Sequence, residues 1–280
     1  MPVSTLDKET VKSPQRSRLG LSLDRGTLHV LIKDSIADAP VYARFQLDMS
    51  LGSATKALEE IIYNNPVLLS DFAKVDVVLH STDFVAVPDD IVKSGMEFSE
   101  AVVNASIADA DSENSATFEA PVQGSGATII ANDDRDLINF IRRTFNNPTI
   151  THSLAVLAQY YITASTLGTA GKMYVNLHDD RLDIAIFGDE GLSLLNTFRY
   201  DDPMDAIYYI MATRSSLGID QTSGELFLSG EASLRETITP TLRSYLGYVM
   251  PLVMPAQLIR AGAAAMEAPF DLTLLLICES

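Results

Sequence analysis

The sequence predicts an α/β protein in which one fold occurs twice, each copy a mixed β-sheet with flanking helices. Three observations point there. Leu19–Leu47 and Met173–Phe198 each read as three short strands in a row, a helix signal follows each set, and a short apolar strand follows each helix. The order β-β-β-α-β therefore occurs twice in 280 residues. Hydrophobic residues at 47% and charged residues at 20% suffice for a packed core under a solvated surface.

The strands are read from alternation. Leu19, Leu21 and Leu23 point one way, with Gly20 and Ser22 between them. After Asp24-Arg25-Gly26-Thr27, Leu28, Val30 and Ile32 alternate, and then Val41, Ala43, Phe45 and Leu47. A period of two marks a strand with one buried face, and Arg25-Gly26 between two such runs marks a hairpin. In the second set, Met173, Val175 and Leu177 lead into Asp179-Asp180-Arg181, and Leu182, Ile184 and Ile186 follow. Gly188-Asp189-Glu190-Gly191 turns the chain into Leu192–Phe198.

The elements after each set agree. Ser53–Asn64 carries Leu58, Ile61 and Ile62 at helical spacing, and Val75–His80 is fit for a buried strand. In the second half, Asp202 before Pro203 is an N-cap signal, with Ile207, Ile210, Met211 and Leu217 as the helical stripe. Leu226–Ser229 is the matching strand, and Ser233-Leu234-Arg235-Glu236 reads as a capping box. Pro240 is expected to divide the helix that follows, and Phe270–Ile277 to form a closing strand. The first half holds extra material at 84–132, with a polar loop at Ala108–Ser115, and helices near Asp134–Phe145 and Ser153–Ser165 follow it. Thr166–Lys172, with Gly168 and Gly171, reads as the linker. The expected organisation is a flexible tail at 1–17, a first half at 18–168 and a second half at 169–280.

Composition narrows the function classes. The lone Cys278 excludes an internal disulfide framework, and no run approaches the ~20 apolar residues of a membrane span. Met1–Arg18 has no apolar signal-peptide core, which points to a cytoplasmic protein. A net charge of -17 repels phosphate backbones, and Arg142-Arg143 is the one adjacent basic pair, so nucleic acid is not an expected partner.

The doubled layout resembles the actin-like ATPase superfamily, built from two ribonuclease-H-like halves, with PilM-like and FtsA-like members nearer by size. More narrowly, the overall length, the doubled layout and Phe84-Val85-Ala86-Val87-Pro88 after the fourth strand make the chain similar to an uncharacterised bacterial family of unknown function assigned that fold. The resemblance implies a nucleotide held at three turns and a molecule that polymerises, hinges or docks partners. The first phosphate turn of the superfamily has the form Asp-x-Gly-Thr, which Asp24-Arg25-Gly26-Thr27 matches. An ordinary hairpin uses the same residues for conformational reasons. The second turn is His178-Asp179-Asp180-Arg181, where glycine is missing and a second carboxylate stands instead. The third should end a strand in a glycine pair, and here Gly230 is followed by Glu231. Asp24, Gly26, Thr27, Asp179 and Gly230 are thus the expected remnant of a nucleotide site.

Other chemistry is weaker. Gly168-Thr169-Ala170-Gly171-Lys172 lacks the spacing of a P-loop and runs into a strand, whereas a P-loop opens a helix. Gly124-Ser125-Gly126 reads as a strand connection, and His29, His80, His152 and His178 show no metal-ligand spacing. The acids Asp133-Asp134-Asp136 and Asp201-Asp202-Asp205 sit at helix starts, where capping explains them, and Cys278 is expected to be buried. A nuclease would build its paired acids within one half, while Asp24 and Asp179 lie in different halves and Asp183 is the remaining candidate.

The expected function is a non-catalytic interaction or assembly protein on a degenerate actin-like scaffold. It has no cofactor, no catalytic residue and no metal ligand, and it recognises a protein partner on the extra segment, with a homodimer as one arrangement. The alternative is a conformational switch that binds Mg-ATP with weak or no hydrolysis. The remaining reading is a Mg-dependent ATPase or related metal-dependent phosphotransfer enzyme using Asp24 and Asp179.

Overall fold

A computed structural model describes residues 6, 11–36, 39–93, 95–107, 113–165 and 171–278. The expected linker and the P-loop-like run lie outside these residues up to position 170, as does the polar loop at 108–112. The chain separates into two compact units: Met1–Pro121, Thr128–Leu157 and Met254–Ser280 make the first, and Val122–Ala127 with Ala158–Val253 the second.

The first unit opens with β1 (Ser17–Asp24), β2 (Thr27–Asp34), β3 (Val41–Gln46), α1 (Ala54–Asn64) and β4 (Lys74–Leu79). The extra segment follows as β5 (Phe84–Pro88), α2 (Asp89–Val92), α3 (Met96–Ser106), β6 (Ser115–Val122) and β7 (Ala127–Asp134). Then come α4 (Arg135–Thr144), β8 (Thr149–His152) and α5 (Ser153–Ser165), of which only the part up to Leu157 is counted in the first unit. The main sheet has the order β3-β2-β1-β4-β8, and β5-β7-β6 form a separate three-stranded sheet. β1 pairs antiparallel with β2 and parallel with β4, and β4 pairs parallel with β8.

The second unit repeats this plan. It contains β9 (Lys172–Leu177), β10 (Arg181–Gly188), β11 (Gly191–Arg199), α6 (Pro203–Ser216), β12 (Glu225–Gly230), α7 (Ala232–Tyr245) and β13 (Tyr248–Pro251). Its sheet order, β11-β10-β9-β12-β13, matches that of the first strand for strand. The senses match too, antiparallel for β9–β10 and β10–β11, parallel for β9–β12 and β12–β13. The duplication read from alternation is therefore present. Val175, Ile184, Leu226 and Leu228 of the sheet pack with Ile207 and Ile210 of α6 and Ile238 and Leu242 of α7.

Local sequence explains the helix starts. Ser53 accepts from the Lys56 N–H at 3.2 Å to cap α1, and Asp134 accepts from Leu137 N at 2.8 Å to cap α4. Asp202 and Asp205 form a capping box on α6, with Pro203 at its first turn. Capping accounts for Asp134, Asp202 and Asp205, whereas Asp133 accepts from Ser81 Oγ and its carboxyl pKa is raised by burial.

Four expectations are corrected. Phe270–Ile277 is not a strand: α8 (Ala256–Ala261), α9 (Ala263–Glu267) and α10 (Phe270–Thr273) lead into a π-helical turn, Leu274–Cys278. Leu272 and Leu276, four residues apart, lie over Gly20 of β1, where a Cβ would stand 2.8 and 2.5 Å from their methyl ends, so a side chain at 20 would push these two leucines aside. The fifth strand of the second sheet is β13 instead. The residue flanking α7 at its start is Glu231, without a side-chain cap, so Ser233 and Glu236 make no capping box. Pro240 lies inside a continuous α7, and the hydrogen bond it forfeits is a cost the packed helix absorbs. Cys278 is half-buried rather than buried. Within the expected tail, Leu6 and Val11 are buried, and Leu6 N donates to Asn65 Oδ1 at 3.1 Å.

Candidate functional site

The first hairpin, between β1 and β2, is a two-residue turn closed by the Asp24–Thr27 pair. Arg25 and Gly26 both have positive φ, 39° and 75°, the left-handed backbone of a type I′ turn that matches strand twist. Gln46 Nε2 and Leu47 N each donate to the Gly26 carbonyl at 2.7 Å, and Thr27 Oγ1 donates to Gln46 Oε1 at 3.3 Å. The Asp24 carboxylate lies 3.8 Å from the Arg25 guanidinium. One step below the turn, Ser22 stands opposite His29. Ser22 Oγ is 3.0 Å from His80 Nε2, and Asp271 Oδ2 is 3.1 Å from that same nitrogen. A nucleophilic relay needs the acid on the other ring nitrogen, so this Ser-His-Asp group orders the core and does not activate Ser22. Burial alone would raise the Asp271 carboxyl, but the His80 ring and its hydrogen bond hold it well below the usual range. His29 Nδ1 lies 2.8 Å from Tyr42 Oη, and burial lowers the His29 pKa to about 4, keeping it neutral near pH 7.

The second hairpin, between β9 and β10, is built differently. His178 N donates to Arg181 O at 2.9 Å, which leaves Asp179-Asp180 as the tip. Tyr200 holds this backbone at two points: its N–H donates to Asp180 O at 2.9 Å and its hydroxyl to His178 O. One step below, Asn176, Asp183 and Thr197 form a cross-strand row. Asp183 Oδ2 lies 2.8 Å from His178 Nε2, Thr197 Oγ1 donates to Asp183 Oδ1 at 2.7 Å, and Ser229 Oγ donates to Asn176 Oδ1 at 3.1 Å. Burial would raise the Asp183 carboxyl, yet the His178 ring, the Thr197 hydroxyl and the Arg181 charge hold it well below the usual range.

At the end of β12, Gly230 has φ +88°, and a Cβ there would stand 2.0 Å from the Leu177 carbonyl oxygen. Glu231 N donates to that carbonyl at 2.9 Å, which locks the strand end onto β9. Gly230 is therefore required by close backbone approach alone.

The structure places Asp24, Gly26 and Thr27 on one hairpin of the first unit, and Asp179 and Gly230 at neighbouring strand ends of the second. Register refines the comparison of the turns. Asp24 pairs with Thr27, and His178 bonds Arg181, so His178 stands where Asp24 does and Asp180 where Gly26 does. Asp179 occupies the place of Arg25 instead. Asn176, Thr197 and Tyr200 had no place in the sequence expectations, and His178 stood there only as a turn residue without metal-ligand spacing. The signal for Asn176 was a polar residue at a buried position of an apolar strand.

A pocket of about 350 Å³ lies on the extra segment of the first unit. It is lined by α3, with Glu100 and Asn104, by α4, with Arg135, Asn139 and Arg142, and by the start of β6 and Asn132 of β7. The opposite face of α4, with Leu137, Ile138, Phe140 and Ile141, is buried. Among the described residues no three His, Cys, Asp or Glu side chains converge as a metal site, and no helix is long and apolar enough to cross a membrane.

Residues 7–249 match a family described as protein of unknown function (DUF3822). The chain belongs to the DUF3822 family. None of the curated proteins matches it. The DUF3822 chain superposes on a Bacteroides thetaiotaomicron protein "with actin-like ATPase fold and unknown function" with a TM-score of 0.81 at 22% identity, covering 94% of this chain and 96% of that one. A second similar structure is the PilM-PilN type IV pilus biogenesis complex, with a TM-score of 0.56 at 12% identity over 95% of this chain and 98% of the other. The fold is that of the actin-like ATPases, and likeness at these identities speaks to fold alone.

Proposed function

We propose that this DUF3822 protein is a non-catalytic interaction or assembly protein, built on an actin-like scaffold whose nucleotide site has decayed. The β9–β10 hairpin carries the reading. Its tip presents Asp179 and Asp180 where a phosphate-binding turn needs glycine N–H groups, and Tyr200 fixes the backbone in that shape. A phosphate there meets two carboxylates, a repulsion that grows as water is excluded. The pocket between α3 and α4 supplies a place for a protein partner on the extra segment. The PilM-PilN structure supports the reading as an actin-like relative recorded in a complex.

One observation favours the alternative, an ATP-binding switch. The Asp24-Arg25-Gly26-Thr27 turn keeps its acid and its left-handed glycine. Thermal unfolding with and without millimolar Mg-ATP separates the two, because a ligand at 100 times its dissociation constant adds about 2.7 kcal/mol of stability. The expected result is no shift in midpoint. A shift that Asp24→Asn abolishes would establish the switch. Phosphate release that EDTA stops would make the protein an ATPase and end the non-catalytic reading. A partner captured from native lysate should be lost with Arg142→Glu, which reverses a charge on the pocket wall.

A further inference from the structure

Each sheet ends in two edge strands, and an edge strand offers backbone N–H and C=O groups to any further strand. Of the six edges among the described residues, five are blunted. β8 and β13 are four residues long, and β13 ends in Pro251. β5 ends in Pro88, and β6 carries Pro121. β3 holds Arg44, and α9 lies against it. The sixth edge, β11 of the second unit, is nine residues long with no proline and no acid, and its one charge is Arg199 at the end. A register irregularity between Ile186 and Phe187 marks its start, and from Leu194 to Arg199 its pairing with β10 is regular.

One bond fixes which backbone groups face outward. Tyr200 N donates to Asp180 O at 2.9 Å, in the register that also pairs Arg199 with Arg181. Orientation alternates along an antiparallel strand, so Phe198, Asn196 and Leu194 turn their backbone groups to β10. Arg199, Thr197 and Leu195 turn theirs to the open side. The Thr197 N–H agrees, because it donates to Asn196 Oδ1 at 2.9 Å, a local substitute for a neighbouring strand.

We propose that β11 pairs antiparallel with β11 of a second copy of this chain. With a twofold axis at Thr197, Leu195 of one copy stands opposite Arg199 of the other, and Thr197 opposite Thr197. This is the one register that maps all three outward residues onto each other, and pairing exchanges the bond from Thr197 N–H to Asn196 for a bond across the axis. Cross-strand threonine pairs are favourable. Self-pairing is also the arrangement that charge permits. Copies of net charge -17 repel each other through acidic faces, whereas this edge brings no acid to the contact and sets each Arg199 over a leucine. The inference deepens the interaction reading, and rests on it, by naming one partner.

Sedimentation of the full chain tests it. The mass should rise from one chain towards two between about 1 and 300 µM, the affinity range of a small interface. Added salt should strengthen the dimer, because it screens the repulsion between acidic copies. Hydrogen exchange of the Leu195 and Thr197 amides should slow about tenfold as the chain pairs, with no change at Val249 on the β13 edge. Asn196→Lys places a lysine on the edge, and Arg199→Pro removes an outward donor without breaking a bond to β10. Each should keep the chain monomeric at an unchanged melting midpoint. A wild-type chain that stays monomeric throughout, a dimer that salt weakens, or one that forms with no slowing at Leu195 and Thr197 would overturn the proposal. So would a dimer that survives both substitutions. Capture of a lysate partner is read separately, so the interaction reading and the self-pairing fail independently.

Discussion

The β1–β2 and β9–β10 hairpins occupy equivalent places in sheets of identical order, yet different forces hold them. The first is set by backbone conformation: Arg25 and Gly26 take left-handed φ, and Gln46 and Leu47 bind the Gly26 carbonyl. The second is set by side chains: Tyr200 grips the turn from β11's end, and beneath it the buried Asp183 and Asn176 line up with Thr197, Asp183 being bonded to Thr197 and to His178 of the turn. The polar rows themselves correspond. Ser22, His29 and Arg44 lie across the first sheet as Asn176, Asp183 and Thr197 lie across the second. A neutral imidazole in one copy has become an ionised carboxylate in the other. Duplication thus preserves strand order while the chemistry at the turn diverges.

The largest effect that sharpens this comparison is at glycine. Gly230→Ala forces a Cβ to 2.0 Å from Leu177 O at φ +88° and should cost about 4 kcal/mol in urea unfolding. If it costs no more than Gly26→Ala, the β9–β12 contact is not as close as described. Asp183→Asn breaks the charged contact beneath the second hairpin and should cost about 3 kcal/mol at pH 7. A loss below 1 kcal/mol, on the scale of about 1 kcal/mol for an exposed pair, would show that the row is not a structural tie.

Acid separates the two rows. His29 falls from an ordinary 6.5 to about 4 in the folded chain, so between those values the unfolded chain binds a proton that the folded one does not. Stability should drop by about 2 kcal/mol as pH falls across that window, after discounting for partial exposure. His29→Phe should flatten this drop. Asp183 is depressed, so its contribution is present above the usual carboxylate value of 3.8 and is lost only as pH falls below it. Unfolding midpoints from pH 7 to 2 for His29→Phe and Asp183→Asn resolve the two windows. The smallest effect is expected for Gly26→Ala, about 1 kcal/mol, because its nearest neighbour is the flexible Gln46 side chain at 3.4 Å.

Much of the fold was legible because one-sided strands write their period into the sequence. Leu19 to Ile32 and Met173 to Ile186 alternate, and the helices announce themselves with Ser53, Asp134 and Asp202. Phe270–Ile277 misled because a short apolar run carries no period, and its helical form depends on space at Gly20, about 250 residues away in sequence. β13 escaped notice because it is four residues long and ends in proline. The candidate site was less legible. Asp24 and Gly26 stand in a recognisable pattern, but that His178 and not Asp179 occupies the equivalent of Asp24 depends on register.

The return of Met254–Ser280 to the first unit orders events during synthesis. Leu272 and Leu276, which cover Gly20, leave the ribosome long after the β1 strand they shield, whereas the second sheet is nearly continuous in the chain. The later-made unit can therefore close its core first, and the earlier one waits with an apolar face of its central strand uncovered, a period in which a chaperone has something to hold.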